Sequence, residues 1–439
     1  MSILKAGAAS YDITPPVGID MCGFGSRPAP AQSVHDPLMA KALYLEADES
    51  ALIITSDLIG LDSDSVAEVR EAIAEQTGLN PDAIMINCSH THGGPTTPCL
   101  PTMGEVDPAY MHELLRKLIS VGRLAYDRAE EAWVGHFREP VSVGINRREI
   151  ERRNTPEPAK ERGTVADYVD VLAVEGADGP IARLFVHAAH GVTLGGDNTA
   201  ITADWMGYAQ RYVERLTGGD CVALFGQGCC GNINSDPRGS FEIAHSQGRA
   251  MAGAVVKAAE LAVTDNDITI SAARKELDIP CEDPPPVEKA RAMLEDLRAG
   301  LQQAEAEGIY GMVKFSRGLV EWGEWMVQQA ERKATGLTIP YEVQAIRIGD
   351  TAIVGLPGEV FIEYAFNIEG RSPFGSTVVM GYTNGNPGYI PTAAAYETGG
   401  YEVDGAYRFY SGGGTMLKPE LEGIILSAAE KTVQQLLAQ

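Results

Sequence analysis

Residues 83–95 read AIMINCSHTHGGP, an apolar run followed by two histidines and then by glycine and proline. The apolar part, residues 83–87, predicts a buried β-strand. Alternate side chains of an extended segment point the same way, so His90 and His92 can face one cavity while Thr91 faces away. Imidazole is the commonest metal ligand in proteins, so the pattern is compatible with a metal site. One core histidine and one surface histidine are the alternative interpretation.

Two later apolar runs also end in a residue that can bind a metal. Residues 184–190 read LFVHAAH and end in His190, and residues 352–359 read AIVGLPGE and end in Glu359. Only eight histidines occur in 439 residues, so we interpret the two histidine clusters at strand ends as functional. Two imidazoles and a carboxylate suit a catalytic zinc that keeps one position open. A carboxylate at the N-terminus of a following helix is the alternative for Glu359, and it is compatible with ligation.

Strand-like and helix-like patterns alternate along the chain, which predicts an α/β fold of mixed β-sheets flanked by helices. A layered α/β/β/α sandwich is one arrangement that fits this pattern. The pair Asp107-Pro108 predicts a helix start, because proline suits the first helical position. The other predicted strands are residues 5–13, 42–46, 51–56, 132–143, 169–174, 181–186, 341–348 and 351–356, and the other predicted helices are residues 64–76, 204–216 and 241–261.

Two regions depart from this alternation. Residues 284–335 open with three prolines and are then rich in Ala, Glu, Leu, Gln and Arg. They predict a helical hairpin inserted within a single catalytic domain over residues 1–439, and the hairpin could cover one side of the site as a lid. Residues 381–414 are rich in glycine and tyrosine, and a loop of this length is usually functional. We expect this loop to fold over the cavity.

Charge and composition exclude several kinds of partner. Sixty acidic and 35 basic residues give a formal charge of −25, which argues against nucleic acid and anionic membrane surfaces. The N-terminal residues lack the apolar region of a signal peptide and no stretch is long enough to span a bilayer, so we expect a cytoplasmic protein without stable membrane insertion. Seven cysteines favour reduced thiols over a disulfide framework. A small-molecule substrate is the expected partner, and the oligomeric state stays open.

An ordered set of short segments resembles the neutral ceramidase family, whose members are zinc-dependent amidases. The resemblance runs from near Ala6 to the C-terminal helix, and the order of the segments along the chain matches the family. The segments are residues 13–24, 89–95, 144–147, 189–190, 203–205, 231–234, 357–359 and 389–392.

The resemblance implies one Zn²⁺ per chain, held by His90, His190, Glu359 and the phenolic oxygen of Tyr389. It also implies that His92 lies close to the metal-bound water. We hypothesise that His92 carries the proton to the leaving group.

The resemblance further implies that Arg147 polarises the substrate carbonyl. Our hypothesis is that Arg147, together with Tyr389, stabilises the negative charge that develops on the substrate oxygen.

The sequence departs from the family in its substrate-binding loop. The positions that carry an aspartate and a serine in ceramidases are Asn232 and Asn234 here, with Ser235 adjacent. Neutral amides suit a polar leaving group, and we predict that Asn232, Asn234 and Tyr401 bind substrate. The immunoglobulin-like C-terminal domain of characterised ceramidases is also expected to be absent. Both departures argue against assuming ceramide as the substrate.

These observations predict a zinc-dependent hydrolase that uses metal-activated water to cleave a C–N or C–O bond at a carbonyl. The substrate would be a small or medium polar amide, ester or lactone. A true ceramidase, acting as an N-acyl-sphingoid amidase, is the first alternative. A two-metal phosphoesterase using Asp57, Asp62 or Asp64 is the second, and a non-catalytic protein that binds sugars or lipids is the third.

Overall fold

The computed structural model describes residues 3–151, 155–411 and 414–438. Its strands are β1 Lys5–Asp12, β2 Ser33–Val34, β3 Met39–Glu46, β4 Ser50–Ser56, β5 Ile84–Cys88, β6 Glu130–Pro140, β7 Gly144–Asn146, β8 Tyr168–Gly176, β9 Gly179–His187, β10 Ala200–Ile201, β11 Val222–Gln227, β12 Ile233–Ser235, β13 Ile270–Pro280, β14 Thr338–Ile348, β15 Thr351–Gly355, β16 Glu359–Val360, β17 Ser376–Met380 and β18 Tyr389–Ile390. Its α-helices are α1 Ser63–Thr77, α2 Pro108–Asp127, α3 Asp204–Thr217, α4 Phe241–Leu261, α5 Val287–Glu307, α6 Tyr310–Glu331, α7 Ile362–Arg371, α8 Ala395–Thr398 and α9 Leu421–Gln435.

Two mixed sheets form the centre of the molecule. The larger sheet has the order β11-β9-β8-β6-β1-β3-β4-β5 and the smaller one the order β13-β14-β15-β17. In the larger sheet β4 pairs with β5, and β9 with β11, in parallel, whereas the other neighbours are antiparallel. In the smaller sheet β15 and β17 are parallel. The predicted mixed sheets are therefore confirmed.

The two sheets pack face to face, and helices cover their outer faces. Along β3 and β4 the even-numbered residues Tyr44 and Ile54 face the helical side, whereas Leu43 and Ile53 join the core between the sheets. Because both faces are buried, these strands are almost continuously apolar. Helices α1 to α4 lie on the larger sheet, and α7 and α9 lie on the smaller one. The result is the α/β/β/α sandwich.

Local sequence signals explain where the second helix begins. The carboxylate of Asp107 accepts hydrogen bonds from the backbone N–H groups of Ala109 and Tyr110, at 2.9 and 3.0 Å. Pro108 occupies the first turn, where no N–H donor is needed. The predicted start of this helix is confirmed.

Helices α5 and α6 occupy the region predicted as a hairpin. They pack through a small apolar cluster that includes Ala290, Trp322 and Met326. The first half of α6 also lies against the loop around Gly25, because a Cβ atom on Gly311 would be 2.6 Å from the backbone oxygen of Gly25. A lid function for the hairpin stays a prediction.

No helix in the described ranges combines the length and the hydrophobicity of a membrane span. The seven cysteines are all buried and none forms a disulfide.

Candidate metal centre

Three chain segments deliver ionisable side chains to one point in the interior. His90 follows β5 by two residues, His190 follows β9 by three, and Glu359 begins β16. A bridge between Thr91 and Gly191 joins the loops after β5 and β9, which brings the two histidines side by side. The three strand ends that the sequence singled out therefore meet.

The backbone around this point is tightly constrained. A Cβ atom on Gly231 would lie 2.2 Å from the backbone oxygen of Glu359, so glycine alone permits this approach. Gly358 has a φ of 87° and His90 a φ of 57°. A left-handed backbone is uncommon for residues other than glycine, and such conformations cluster at functional sites.

Four side chains converge there. The ligand-type nitrogen atoms of His90, His92 and His190 all lie within 4.8 Å of one another. Nε2 of His92 is 3.2 Å from Nε2 of His90. The Oε2 atom of Glu359 is 3.0 Å from Nε2 of His190 and 3.3 Å from Nε2 of His90. His90, His190 and Glu359 are at most 2% exposed, whereas His92 is only partly buried.

Backbone oxygens orient two of these rings. Nδ1 of His90 lies 2.6 Å from the backbone oxygen of Ile59, and Nδ1 of His190 lies 2.7 Å from that of Cys230. A carbonyl oxygen only accepts, so each Nδ1 carries a hydrogen, and in the neutral imidazole each Nε2 then presents a lone pair towards Glu359. Lone pairs and a carboxylate repel one another unless a cation lies between them. Protein metal sites orient their imidazole ligands through outer hydrogen bonds of this kind.

Burial favours the neutral form of two of these histidines, His92 and His190, and a neutral imidazole is the form that binds a metal. Burial lowers the pKa of His190 to about 4 and lowers the pKa of His92 well below its usual value. Burial alone would raise the pKa of Glu359, but the imidazoles of His90 and His190 more than offset it, and that pKa lies well below its usual range. Metal ligands are neutral imidazoles and ionised carboxylates. The donor set therefore fits a divalent cation.

Two tyrosines that the sequence did not assign to the site contact the carboxylate. The hydroxyl of Tyr410 donates to Oε1 of Glu359, and the hydroxyl of Tyr382 lies 3.4 Å from Oε2. The ring of Tyr382 also lies over His90, with centroids 4.3 Å apart. The density of tyrosines in residues 381–414 was the available signal, but it did not distinguish these two from their neighbours.

Arg147 lies at the centre of a second group of contacts. Its Nε donates to Glu402 at 2.8 Å, its Nη1 to Asn234 at 3.1 Å, and its Nη2 to the backbone oxygen of Gly231 at 2.7 Å and to the hydroxyl of Tyr389 at 2.9 Å. A guanidinium has five N–H donors. These four bonds leave one Nη1 hydrogen without a partner among the described residues.

Tyr389 lies next to both the histidine–glutamate cluster and the contacts of Arg147. The parallel pairing of β16 with β18 places Tyr389 opposite Glu359, while its hydroxyl contacts Arg147. The role of Tyr389 as a metal ligand stays a prediction.

Asn232 and Ser235 make structural contacts near the site. The Asn232 side chain accepts from the backbone N–H of Ile362 at 2.9 Å and donates to Glu363 at 3.1 Å, at the start of α7. Ser235 is fully buried and its hydroxyl accepts from Thr193 at 3.1 Å. Substrate binding by Asn232 stays a prediction.

Aromatic side chains lie beside His92 and beside Tyr389. The ring of Phe24 lies 4.9 Å from that of His92. The ring of Tyr401 lies 5.8 Å from that of Tyr389 and 6.2 Å from that of Phe409, and Tyr401 is 49% exposed. Tyr401 is therefore within reach of a ligand that approaches from solvent.

The three aspartates of the two-metal alternative do not belong to this cluster. Asp57 is buried and accepts from the backbone N–H of Met39, Asp62 accepts from the hydroxyl of Ser65, and Asp64 is exposed. Among the described residues, the cluster of side chains that could hold a metal ion consists of His90, His92 and His190.

A layered α/β sandwich that gathers three imidazoles and a carboxylate at its strand ends defines a candidate metalloenzyme. The chain belongs to the neutral/alkaline non-lysosomal ceramidase family, because the model of the N-terminal part of that family matches residues 4–249, more than half of the sequence. The family resemblance expected from the sequence is confirmed, and it places the chain among hydrolases.

Solved structures show the same fold. A neutral ceramidase from Pseudomonas aeruginosa superimposes with a TM-score of 0.76 at 17% identity, over 99% of this chain and 75% of that chain. A ceramidase complexed with C2 superimposes with a TM-score of 0.77 at 17% identity, over 100% of this chain and 76% of that chain. No curated protein matches the sequence.

Proposed function

We propose that this protein is a zinc-dependent hydrolase that cleaves a C–N or C–O bond at the carbonyl of a small or medium polar amide, ester or lactone. The observation that carries this proposal is the convergence of the His90 and His190 Nε2 atoms on Glu359, with both Nδ1 atoms bonded to backbone oxygens. Membership of a hydrolase family supports it independently.

One Zn²⁺ per chain would be held by His90, His190, Glu359 and Tyr389. When bound, zinc supplies a nucleophile by lowering the pKa of water to about 7 and acts as a Lewis acid towards a carbonyl. Two imidazoles, a carboxylate and a phenolic oxygen suit zinc, and they also suit manganese or iron.

The residues around the metal would transfer a proton, stabilise the substrate oxygen and bind the substrate. His92 is neutral, partly exposed and 3.2 Å from His90, so its ring can take up a proton and pass it to the leaving group. The remaining Nη1 hydrogen of Arg147 can donate to the substrate oxygen, a contribution of about 3 kcal/mol in the transition state. Asn234 bonds the same Nη1 through its side-chain oxygen, which leaves its amide N–H₂ available to substrate.

A true ceramidase is the second candidate, and two observations favour it. The family match concerns ceramidases. In addition, Phe24 borders His92, and the ring of Phe409 lies 6.2 Å from that of Tyr401 and 4.8 Å from that of Phe315. Such aromatic surfaces favour an apolar acyl chain over a fully polar substrate.

The test begins with metal content. Purified wild type is analysed for bound metals and assayed against N-acyl amides of increasing chain length, esters and lactones. We expect one zinc per chain, and we expect His190→Ala to lose both the zinc and the activity. His112→Ala, which changes an exposed histidine on α2, is the matched control and should keep both. Stoichiometric zinc in His190→Ala would disprove the ligand assignment. Activity that rises with the length of the acyl chain would favour a lipid amide as the substrate, whereas activity that does not would favour the polar substrates.

A further inference from the structure

Residues 395–410, named here the tyrosine segment, border the candidate metal centre. They comprise α8 and two short helical turns, Tyr401–Gly405 and Ala406–Phe409. The segment carries Tyr401, which is 49% exposed beside Tyr389, and it ends in Tyr410, which donates to Glu359. The position of the segment therefore decides where two of the tyrosines at the site lie.

One carboxylate connects this segment to Arg147. Oε1 of Glu402 accepts from Nε of Arg147 at 2.8 Å, and Oε2 accepts from Nη1 of Arg148 at 2.8 Å. The side chain of Glu402 is 8% exposed. A carboxylate shared by two guanidinium groups in a buried position forms strong, charge-assisted hydrogen bonds.

Arg148 holds the segment at further points. Its Nη2 donates to the hydroxyl of Thr398 at 2.9 Å and to the backbone oxygen of Gly399 at 2.8 Å, and it lies 3.4 Å from the backbone oxygen of Ala395. The same side chain thus bonds the end of α8 and the carboxylate of Glu402. Lysine could not make these contacts, because its single ammonium group lacks the planar fork of arginine.

We propose that Arg148 is a positioning residue that, through Glu402, fixes the tyrosine segment against Arg147 and so sets the orientation of Arg147 and Tyr401 towards substrate. This inference rests on the proposed function. The helical turns of the segment are at most five residues long, so the segment depends on these side-chain bonds more than a long helix would. Without Arg148, Glu402 keeps one partner in a buried position, which favours opening of the segment towards solvent.

Hydrogen–deuterium exchange tests the structural half of the proposal without any substrate. The backbone N–H groups of Gly399, Val403 and Asp404 are hydrogen-bonded within the segment and report its opening. We expect Arg148→Lys and Glu402→Gln to exchange at least about tenfold faster than wild type in peptides that cover residues 395–410. The matched control is Glu397→Gln, which removes an exposed charge on the same segment and should exchange like wild type.

Steady-state kinetics tests the functional half. We expect kcat to fall about 10- to 100-fold in Arg148→Lys and in Glu402→Gln while KM changes less than about threefold, because misplacement of Arg147 affects the transition state. The double variant should lose no more than the worse single variant, because both changes break one connection. Glu397→Gln should retain wild-type kinetics.

Three results would overturn the proposal: wild-type exchange in both variants, additive losses in the double variant, or an equal loss of kcat in Glu397→Gln. If wild type hydrolyses no substrate in the panel, the proposed function fails, while the exchange data still decide whether Arg148 holds the segment.

Discussion

The Oε2 atom of Glu359 lies 3.0 Å from Nε2 of His190, although 169 residues separate them in the sequence. The ring of His190 is turned so that Nδ1 faces the backbone oxygens of Cys230 and Ile233, at 2.7 and 3.0 Å. The lone pair of Nε2 therefore points to the carboxylate, an arrangement that a cation between them would stabilise.

The first prediction concerns this carboxylate. Glu359→Gln should lower the affinity for metal by more than about 100-fold. Loss of a residue that only hydrogen-bonds a metal ligand lowers the affinity about 10- to 100-fold, and Glu359→Gln removes the charge of a ligand itself. Competition with a chromogenic chelator measures the affinity. Glu363→Gln, on the first turn of α7, is the control and should bind metal like wild type. Equal affinities in wild type and Glu359→Gln would contradict the assignment.

The second prediction is that removal of metal lowers thermal stability. A ligand that binds only the folded state stabilises it by RT ln(1 + [L]/Kd), about 4 kcal/mol when the free metal concentration is 1,000 times Kd. Dialysis against a strong chelator should therefore lower Tm, and stoichiometric Zn²⁺ should restore it. Differential scanning calorimetry measures both steps. A Tm that is identical with and without metal would count against a bound cation at the histidine cluster.

The third prediction separates two roles of Tyr389. If its phenolic oxygen is a metal ligand, Tyr389→Phe weakens zinc binding as well as turnover. If it serves only as a partner of Arg147, with which it shares a 2.9 Å bond, zinc is retained and kcat alone falls. We expect loss of zinc affinity. Tyr401→Phe, which changes a neighbouring tyrosine 5.8 Å away, should bind zinc normally in the same titration.

The fourth prediction concerns the guanidinium of Arg147. Arg147→Lys should lower kcat about 100-fold, equivalent to about 3 kcal/mol of transition-state stabilisation, with little change in KM. A lysine cannot maintain four bonds and still donate to substrate. Arg138→Lys changes an arginine that pairs with Asp170 on the larger sheet, and it should leave kcat unchanged. A comparable kcat for wild type and Arg147→Lys would exclude Arg147 from catalysis.

The fifth prediction is a pH effect on stability. Burial raises the pKa of Asp57 from 3.8 to about 6. Between about pH 4 and pH 6 the folded state then binds more protons than the unfolded state, so this residue lowers the free energy of unfolding as pH rises through that window. Its stabilising contribution is complete below pH 4 and is lost above pH 6.

Asp57→Asn should abolish this dependence. The asparagine oxygen can still accept the hydrogen bond from the backbone N–H of Met39. Between pH 4 and pH 7 the variant should gain up to about 3 kcal/mol relative to wild type, because each pKa unit corresponds to about 1.4 kcal/mol. Urea unfolding at both pH values measures the difference, with the exposed Asp64→Asn as control. A constant difference between variant and wild type would show that Asp57 does not titrate in this range.

Local patterns in the sequence were sufficient to predict the layers and three members of the centre. The apolar runs of β5, β9 and β15 follow from burial on both faces of the strands, and polar, ionisable residues that are still buried, His90, His190 and Glu359, come shortly after them. The alternation of strands and helices similarly determined the mixed α/β class.

Only the tertiary structure decided which groups surround those three residues. Tyr410 contacts Glu359 across 51 residues of sequence, and Glu402 contacts Arg147 across 255 residues. They depend on the path of a segment whose tyrosines and glycines carry no helical or strand periodicity. The hydrogen-bond partner of a tyrosine is set by which loop lies next to it in space, and this is a property of the folded chain, whereas burial of a strand is already encoded in its neighbouring residues.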